Sequence, residues 1–245
     1  MPADGERFPN ERIVITAFLV EHPRGRFLFD TGGSLAHASA VRLHSPVDFP
    51  PITAVLKEHG VAARDVTMLA NCHFHTDHSG GNHHFPGVPI FAQRAEVAHA
   101  RTTEDFTHLP SVADFAGALV LEIDGEAEPL PGIRIVPTPG HTPGHQSAVV
   151  ETREGRVILA GQAQSFSSDY ARHRYSHELA LRGEPHGPYP EWIVRFQELD
   201  PWRVYFAHDR AHWQRDALAP FGAVSAPGRG AERDRARSPR SSRAR

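Results

Sequence analysis

Short apolar segments alternate with polar, turn-forming segments along most of the chain. Two β-rich segments, 13–20 and 26–29, flank the turn His22-Pro23-Arg24-Gly25 and predict a hairpin. Because strands outnumber helices and polar motifs directly follow strands, the pattern favours a layered α/β fold with ligands gathered at strand ends. The other predicted strands are 66–70, 88–92, 118–123, 133–137, 146–151, 157–160 and 204–207, and the predicted helices are 52–60, 93–101, 190–199 and 213–218.

Two later segments break this alternation. The segment 165–189 is long, polar and rich in histidine, and it predicts a loop, either one that covers a substrate or a variable surface loop. The segment 228–245 holds seven arginines against Glu232 and Asp234, with proline and serine interspersed. That composition predicts a disordered arginine-rich tail.

Composition narrows the classes of protein to consider. The 245 residues suffice for one large domain or two small ones, and 40% apolar with 22% charged residues is ordinary globular composition. No apolar run approaches the roughly 18 residues of a membrane-spanning helix, and the polar N-terminus lacks a signal core. The single cysteine, Cys72, fits a reducing compartment. We therefore expect a cytoplasmic protein without a membrane partner, and the net charge of −3 does not indicate nucleic-acid binding.

Histidine is abundant, with 18 residues, and the densest group follows the predicted strand 66–70 in the sequence NCHFHTDHSGG. If the strand ends there, His73 and His75 can turn toward one ion while Asp77 and His78 face another. Imidazole and carboxylate groups suit Zn²⁺ and similar divalent ions. Burying these groups without a metal would be costly, so the spacing predicts a metal centre.

Two further segments place histidines after predicted strands. The sequence PTPGHTPGH at 137–145 is a rigid loop, and His141 would complete a three-histidine set with His73 and His75. His145 is the alternative in that loop. The sequence VYFAHD ends an apolar strand at His208, which by itself is only a weak indication of a metal ligand.

Taken in order and spacing, these three segments resemble the metallo-β-lactamase-fold hydrolases, and HFHTDH matches the HxHxDH signature of that superfamily. The stretch from HFHTDHSGGN to FAQRAE, with TPGHTPGHQS before a strand, is most similar to the N-acyl-homoserine lactonase branch. The resemblance covers about residues 12–215. It implies an αββα sandwich of two mixed β-sheets flanked by helices, in a hydrolase domain spanning 1–227. It also implies that Asp30, in the sequence FDTGG, braces the metal loop without binding metal.

Two metal sites follow from the same resemblance. It implies that His73, His75 and His141 bind the first ion, and that the second ion is bound by Asp77, His78 and His208. We expect Zn²⁺, one or two ions per chain, with Mn²⁺ or Fe²⁺ as alternatives. Asp77, which can meet the departing alkoxide, and His208 are also the expected catalytic residues.

The chain departs from the family just after the predicted strand 157–160. The family normally has an aspartate there that bridges both ions, whereas this chain has Gly161-Gln162. The amide oxygen of Gln162 can still bind one ion, but the lost negative charge should weaken the second site. Three outcomes are open: a dinuclear centre with a weak second ion, a mononuclear centre, or a centre completed by Asp169. The first two are favoured over an inactive site because the other six ligands are present.

The assisting tyrosine of such lactonases is also absent just past this position, where Tyr170 and Tyr175 are the nearest tyrosines. We expect a metal-dependent hydrolase that opens a small-molecule lactone or ester, similar to an N-acyl-homoserine lactone, by attack of a metal-bound hydroxide. The alternatives are a thioesterase resembling glyoxalase II, and a metal-binding module with weak or no activity because of Gln162. Nucleic acid is not expected as a partner, and a homodimer is left open.

Overall fold

Two β-sheets dominate the computed structural model, which describes residues 14–33, 50–103, 112–216 and 219–225. The first sheet has the order β1-β2-β3-β4-β5, with β1 antiparallel to β2 and the other neighbours parallel. Its strands are β1 (Phe18–His22), β2 (Gly25–Phe29), β3 (Met68–Ala70), β4 (Pro89–Gln93) and β5 (Leu119–Ile123).

The second sheet has the order β12-β11-β10-β9-β8-β7-β6, and the pair β9 and β10 is parallel while its other neighbours are antiparallel. Its strands are β6 (Ala127–Leu130), β7 (Ile133–Pro137), β8 (Gln146–Thr152), β9 (Gly155–Leu159), β10 (Arg203–Tyr205), β11 (His212–Asp216) and β12 (Ala219–Ser225). The helices are α1 (Ile52–Glu58), α2 (Thr76–Ser79), α3 (Arg94–Thr102), α4 (Ser167–Leu181) and α5 (Trp192–Glu198).

Side-chain alternation along β2 explains why the sheets form layers. Phe27 and Phe29 point to one face and pack with Ile135 and Leu159 of the second sheet, whereas Leu28 points to the other face and packs under α1. The outer face of the second sheet packs against α4 and α5 through an aromatic cluster. The layers are therefore helix, sheet, sheet, helix, which confirms the predicted αββα sandwich.

Two predicted elements are wrong. The segment 213–218 was expected to be helical, but 212–216 forms strand β11, because it pairs with β10 on one side and β12 on the other. The segment 165–189, expected to be a loop, contains the longest helix in the described part of the chain, α4. Strands β6 and β12 were not predicted.

Some expectations lie outside the described residues, including the tail 228–245 and the domain boundary at 227. Among the described helices, none combines the length and the hydropathy needed to cross a lipid bilayer.

Candidate metal centre

The histidine-rich segment follows strand β3 at the carboxyl edge of the first sheet. Neighbouring strand β2 ends at the same edge, and Asp30 follows it with a left-handed backbone (φ 64°). This conformation, rare for a residue other than glycine, turns the Asp30 carboxylate toward the loop after β3. There Oδ1 accepts a hydrogen bond of 2.7 Å from the Cys72 backbone N–H.

Three histidines from two loops meet at this edge, and we call His73, His75 and His141 the three-histidine group. Their ligand nitrogens all lie within 4.8 Å of one another. His141 Nε2 is 3.2 Å from His75 Nδ1. His73 is fully buried, and its Nε2 is a buried nitrogen without a hydrogen-bond partner. An isolated nitrogen of this kind, facing two other imidazoles, is what a metal-binding group of histidines requires.

Beside it lies a second cluster, the mixed group, made of Asp77, His78 and His208. Asp77 Oδ2 is 3.4 Å from His78 Nε2 and 3.5 Å from His208 Nε2. Gln162 follows β9 and points its Oε1 at His78 Nε2, at 3.2 Å. The structure therefore brings together the seven ligands expected from the sequence, which are His73, His75, Asp77, His78, His141, Gln162 and His208.

Three of these histidines, His73, His78 and His208, have a partner in the protein at the outer ring nitrogen. His208 Nδ1 donates to the Val14 backbone carbonyl at 2.9 Å, and His78 Nδ1 lies 3.1 Å from Asp30 Oδ2. His73 Nδ1 lies 3.1 Å from Cys72 Sγ. Partners at the outer nitrogen fix the ring and leave the inner lone pair for a metal, as is usual for ligating histidines.

His145, the alternative to His141, has a different place. Its Nδ1 is 3.0 Å from the Thr138 carbonyl oxygen, and its Nε2 accepts a hydrogen bond of 3.1 Å from the Gln162 backbone N–H. Its ligand atom also lies near those of Cys72 and His73. Because both nitrogens are engaged, His145 connects the loop after β7 to the start of the Gln162 segment.

Glu96, in α3, holds the two histidine loops together and was not singled out as a site residue. It is buried, and its carboxylate accepts hydrogen bonds from the Phe74 N–H (2.8 Å), the Thr142 hydroxyl (2.6 Å) and the Gly144 N–H (3.2 Å). Phe74 lies between His73 and His75, and Thr142 adjoins His141. The only signal for Glu96 in the sequence is its place at the end of the FAQRAE stretch.

Electrostatics favour neutral imidazoles at two members of the three-histidine group, His73 and His141. Burial, together with the nearby histidines, holds the pKa of His73 well below its ordinary value. Burial and His78 lower the pKa of His141 to about 4. Neutral imidazoles offer lone pairs to a metal at neutral pH.

The electrostatics behind the mixed group differ. Burial opposes a charge on His78, but the nearby Asp77 and Asp30 carboxylates raise its pKa well above the ordinary value. Burial and the Asp30 carboxylate raise the pKa of the Cys72 thiol to about 12, so the thiol is neutral. Binding of a metal at His78 would therefore displace a proton.

The remaining candidate residues lie away from the two groups. Asp169 is in α4 and pairs with Arg172 at 2.9 Å. Tyr170 is buried against Trp192, Phe206 and Trp213, so its hydroxyl does not face a substrate. Tyr175 is exposed.

The residues present fit a divalent metal. Imidazole nitrogens and one carboxylate are the donors that Zn²⁺ and similar ions prefer, and the unpartnered nitrogen of His73 faces the centre. A layered α/β fold with these donors at its strand ends defines the class of protein as one that can hold divalent metal at the edge of its sheets. Residues 11–219 match the family model described as the metallo-beta-lactamase superfamily, and the chain belongs to this superfamily.

Within the superfamily, the proteins similar to this chain include N-acyl homoserine lactonases. An N-acyl homoserine lactonase from Bacillus cereus is 28% identical over 209 residues, which cover 80% of this chain and 81% of that protein. The lactonase AttM from Azorhizobium caulinodans is 26% identical over 177 residues, 64% of this chain and 67% of that protein.

Solved structures agree. The crystal structure of a quorum-quenching N-acyl homoserine lactone lactonase is 28% identical, with a TM-score of 0.62, covering 79% of this chain and 78% of that chain. An N-acyl homoserine lactone hydrolase with the product N-hexanoyl-L-homoserine bound at its catalytic metal centre is 28% identical, with a TM-score of 0.61, covering 79% and 80%. These similarities confirm the predicted family and fold and the assignment as a hydrolase.

Proposed function

We propose that this protein hydrolyses the lactone ring of an N-acyl homoserine lactone or a close relative, with Zn²⁺ as the first candidate metal. The observation that carries the proposal is the unpartnered His73 Nε2 beside the nitrogens of His75 and His141. The lactonases that resemble the chain support the substrate class, and one of them holds a lactone-derived product at its metal centre.

The three-histidine group would hold the first ion, and the mixed group, with the Gln162 amide oxygen, would hold the second. A divalent ion bound there polarises a substrate carbonyl and lowers the pKa of a water molecule toward about 7, which supplies a nucleophile at neutral pH. Asp77 and His208 are the proposed catalytic residues. The Asp77 carboxylate lies between His78 and His208, at 3.4 and 3.5 Å, where it can pass the proton of the attacking water to the departing ring oxygen.

Gln162 makes the two metal sites unequal. Around the two groups, the described ligand atoms include one carboxylate, that of Asp77, and the Gln162 amide is neutral. Two dications held close together repel each other, and each missing carboxylate weakens the second site. We therefore propose that the second ion binds more weakly than the first.

The substitution Gln162→Asp tests this inequality. It should raise the occupancy of the second ion, because it returns a negative charge to the side chain that faces His78. Metal content is measured after dialysis against matched free-metal concentrations, and Gln162→Glu serves as the control of equal side-chain length. Equal metal content in the wild type and Gln162→Asp would contradict the proposal.

Proton release at neutral pH tests the activity itself. Protein reconstituted with Zn²⁺ or Mn²⁺ is given lactones, thioesters and a phosphodiester, with His73→Ala as the background. Lactone turnover that disappears in His73→Ala supports the proposal. Preference for thioesters would favour an activity like that of glyoxalase II, and no turnover by the metal-loaded protein would favour a metal-binding module.

A further inference from the structure

Cys72 lies between the two groups of candidate ligands, on the side away from their ligand atoms. Its Sγ is 3.1 Å from His73 Nδ1, in the three-histidine group, and 3.3 Å from His78 Nδ1, in the mixed group. Both histidines turn the opposite nitrogen, Nε2, toward the centre. One thiol therefore contacts the outer nitrogen of one histidine in each group.

The protein holds this thiol in place from three directions. The Cys72 N–H donates to Asp30 Oδ1 at 2.7 Å, and the Cys72 carbonyl accepts from the Gln146 N–H at 2.8 Å. On the third side, Gly161 comes so close that a Cβ there would lie 2.3 Å from Cys72 Cβ. Because Cys72 is fully buried, its side chain has no room to move away from the two rings.

The direction of the hydrogen bonds follows from metal binding. An imidazole that offers Nε2 to a cation carries its proton on Nδ1. The Nδ1–H of His73 then donates to Cys72 Sγ, whereas the Nδ1–H of His78 has a choice between Cys72 Sγ and Asp30 Oδ2, at 3.1 Å. The neutral thiol is thus the acceptor for the Nδ1–H of His73, whereas the Nδ1–H of His78 is shared between the thiol and the Asp30 carboxylate.

We propose that Cys72 is a positioning residue that orients His73 and His78 together, and so couples the metal affinities of the two groups. The proposal rests on the metal-binding role proposed above for both groups. It predicts that the three-histidine group depends on Cys72 more strongly, because His78 keeps Asp30 as a second partner.

The test compares Cys72→Ala with Cys72→Ser in the full chain. Val150→Ala is the matched control, because Val150 belongs to the same core cluster and offers no hydrogen bond. Zn²⁺ and Co²⁺ affinities are measured by competition with a chelator, and the Co²⁺ absorption spectrum reports ligand geometry. Loss of a partner behind a ligating histidine typically costs about 10–100-fold in affinity. We expect Cys72→Ala to lose that much for the first ion and less for the second, and Cys72→Ser to recover most of the loss.

A second readout needs no metal. Nitrogen NMR of the metal-free protein identifies which ring nitrogen of His73 carries the proton. We expect the Nδ1–H form in the wild type and Cys72→Ser, and a mixture of both forms in Cys72→Ala. A wild type that binds no metal would refute the proposed function, while this readout would still decide the role of Cys72.

Two results would overturn the inference: Cys72→Ala with unchanged affinities and an unchanged His73 tautomer, or a loss confined to one of the two ions. If Cys72→Ala does not fold, Cys72→Ser decides. Exchanging sulfur for oxygen should shift the Nδ1 proton resonances of His73 and His78, and unshifted resonances would refute the contact.

Discussion

The three-histidine group and the mixed group lie side by side but differ in what surrounds their ligand atoms. In the first, His73 Nε2 is buried and has no partner. In the second, the Asp77 carboxylate already faces both His78 and His208. A buried polar atom without a partner costs about 1–3 kcal/mol, so an ion at the first group relieves that cost, although it also replaces the contact between His75 and His141. An ion at the second group only replaces existing contacts. The difference teaches that adjacent sites built from similar residues need not bind metal equally well.

The largest effect is expected from His73→Ala, which removes the histidine with the unpartnered nitrogen. Losing the first ion removes the activation of both water and carbonyl, so hydrolysis should fall by more than about 100-fold. Initial rates on a lactone measure this. The exposed His59 gives the control His59→Ala, which should keep the wild-type rate. If the rate of His73→Ala stays within tenfold of the wild-type rate, the three-histidine group does not dominate hydrolysis, and the proposed difference between the two groups is wrong.

Glu96→Ala should be the most damaging change to stability. It leaves the Phe74 N–H, the Thr142 hydroxyl and the Gly144 N–H without their acceptor. We expect the free energy of unfolding to fall by about 3 kcal/mol or more, because each buried donor left unpaired costs about 1–3 kcal/mol. Urea unfolding measures it, with Glu154→Ala on the surface as the control.

The same variant sharpens the comparison, since the Glu96 contacts to Phe74, Thr142 and Gly144 adjoin the residues of the three-histidine group, whereas none of these three contacts adjoins a residue of the mixed group. First-ion affinity should fall and second-ion affinity should hold. An equal loss for both ions would show that the two groups are not supported separately.

Gly161→Ala tests the close packing behind both groups. Gly161 and Gly183 both have left-handed backbones (φ 57° and 69°), but an added Cβ at Gly183 meets nothing within 4 Å. Both substitutions should cost about 1–2 kcal/mol for the backbone. Gly161→Ala should cost about 2 kcal/mol more, because the methyl group overlaps Cys72. Equal losses in thermal or urea unfolding would contradict this packing.

The smallest effect on the first ion is expected from His208→Ala. It removes one ligand of the mixed group. Loss of a residue that only hydrogen-bonds a ligand already costs about 10–100-fold in metal affinity, so loss of the ligand itself should lower second-ion affinity by about tenfold or more. First-ion affinity should stay within about twofold. A stepwise metal titration separates the two affinities. A parallel loss of both ions would show that the groups bind as one unit.

The site was predictable from sequence where the chemistry is local. The spacing of His73, His75, Asp77 and His78 in one loop indicates a metal centre directly, and the structure brings these residues together. The sequence around the loop could not decide between His141 and His145. What distinguishes them is a distant contact, because the Gln162 backbone N–H donates to His145 Nε2. Glu96 was missed for the same reason, since its partners lie in two other loops.

The fold shows the same division. Strands β2 and β7 follow from apolar alternation, but α4 was missed because its buried stripe is largely polar. Ser167, Tyr170, Arg174 and His177 recur at helical spacing on the buried side, where a sequence pattern looks for aliphatic residues. Strand β11 was mistaken for a helix because its partners, β10 and β12, are set by sheet pairing rather than by local preference.

The bond from His208 to the Val14 carbonyl spans 194 residues, whereas the contact between His75 and His141 spans 66. Closing a longer loop costs more conformational entropy, so the mixed group depends on a costlier chain closure than the three-histidine group. Beside this bond the Thr16 N–H donates to the Ala207 carbonyl at 3.0 Å, so the same two segments are joined a second time. Opening of the segment that carries Val14 and Thr16 would therefore release the ring of His208, and with it the proposed second ion, while the contact between His75 and His141 stays in place.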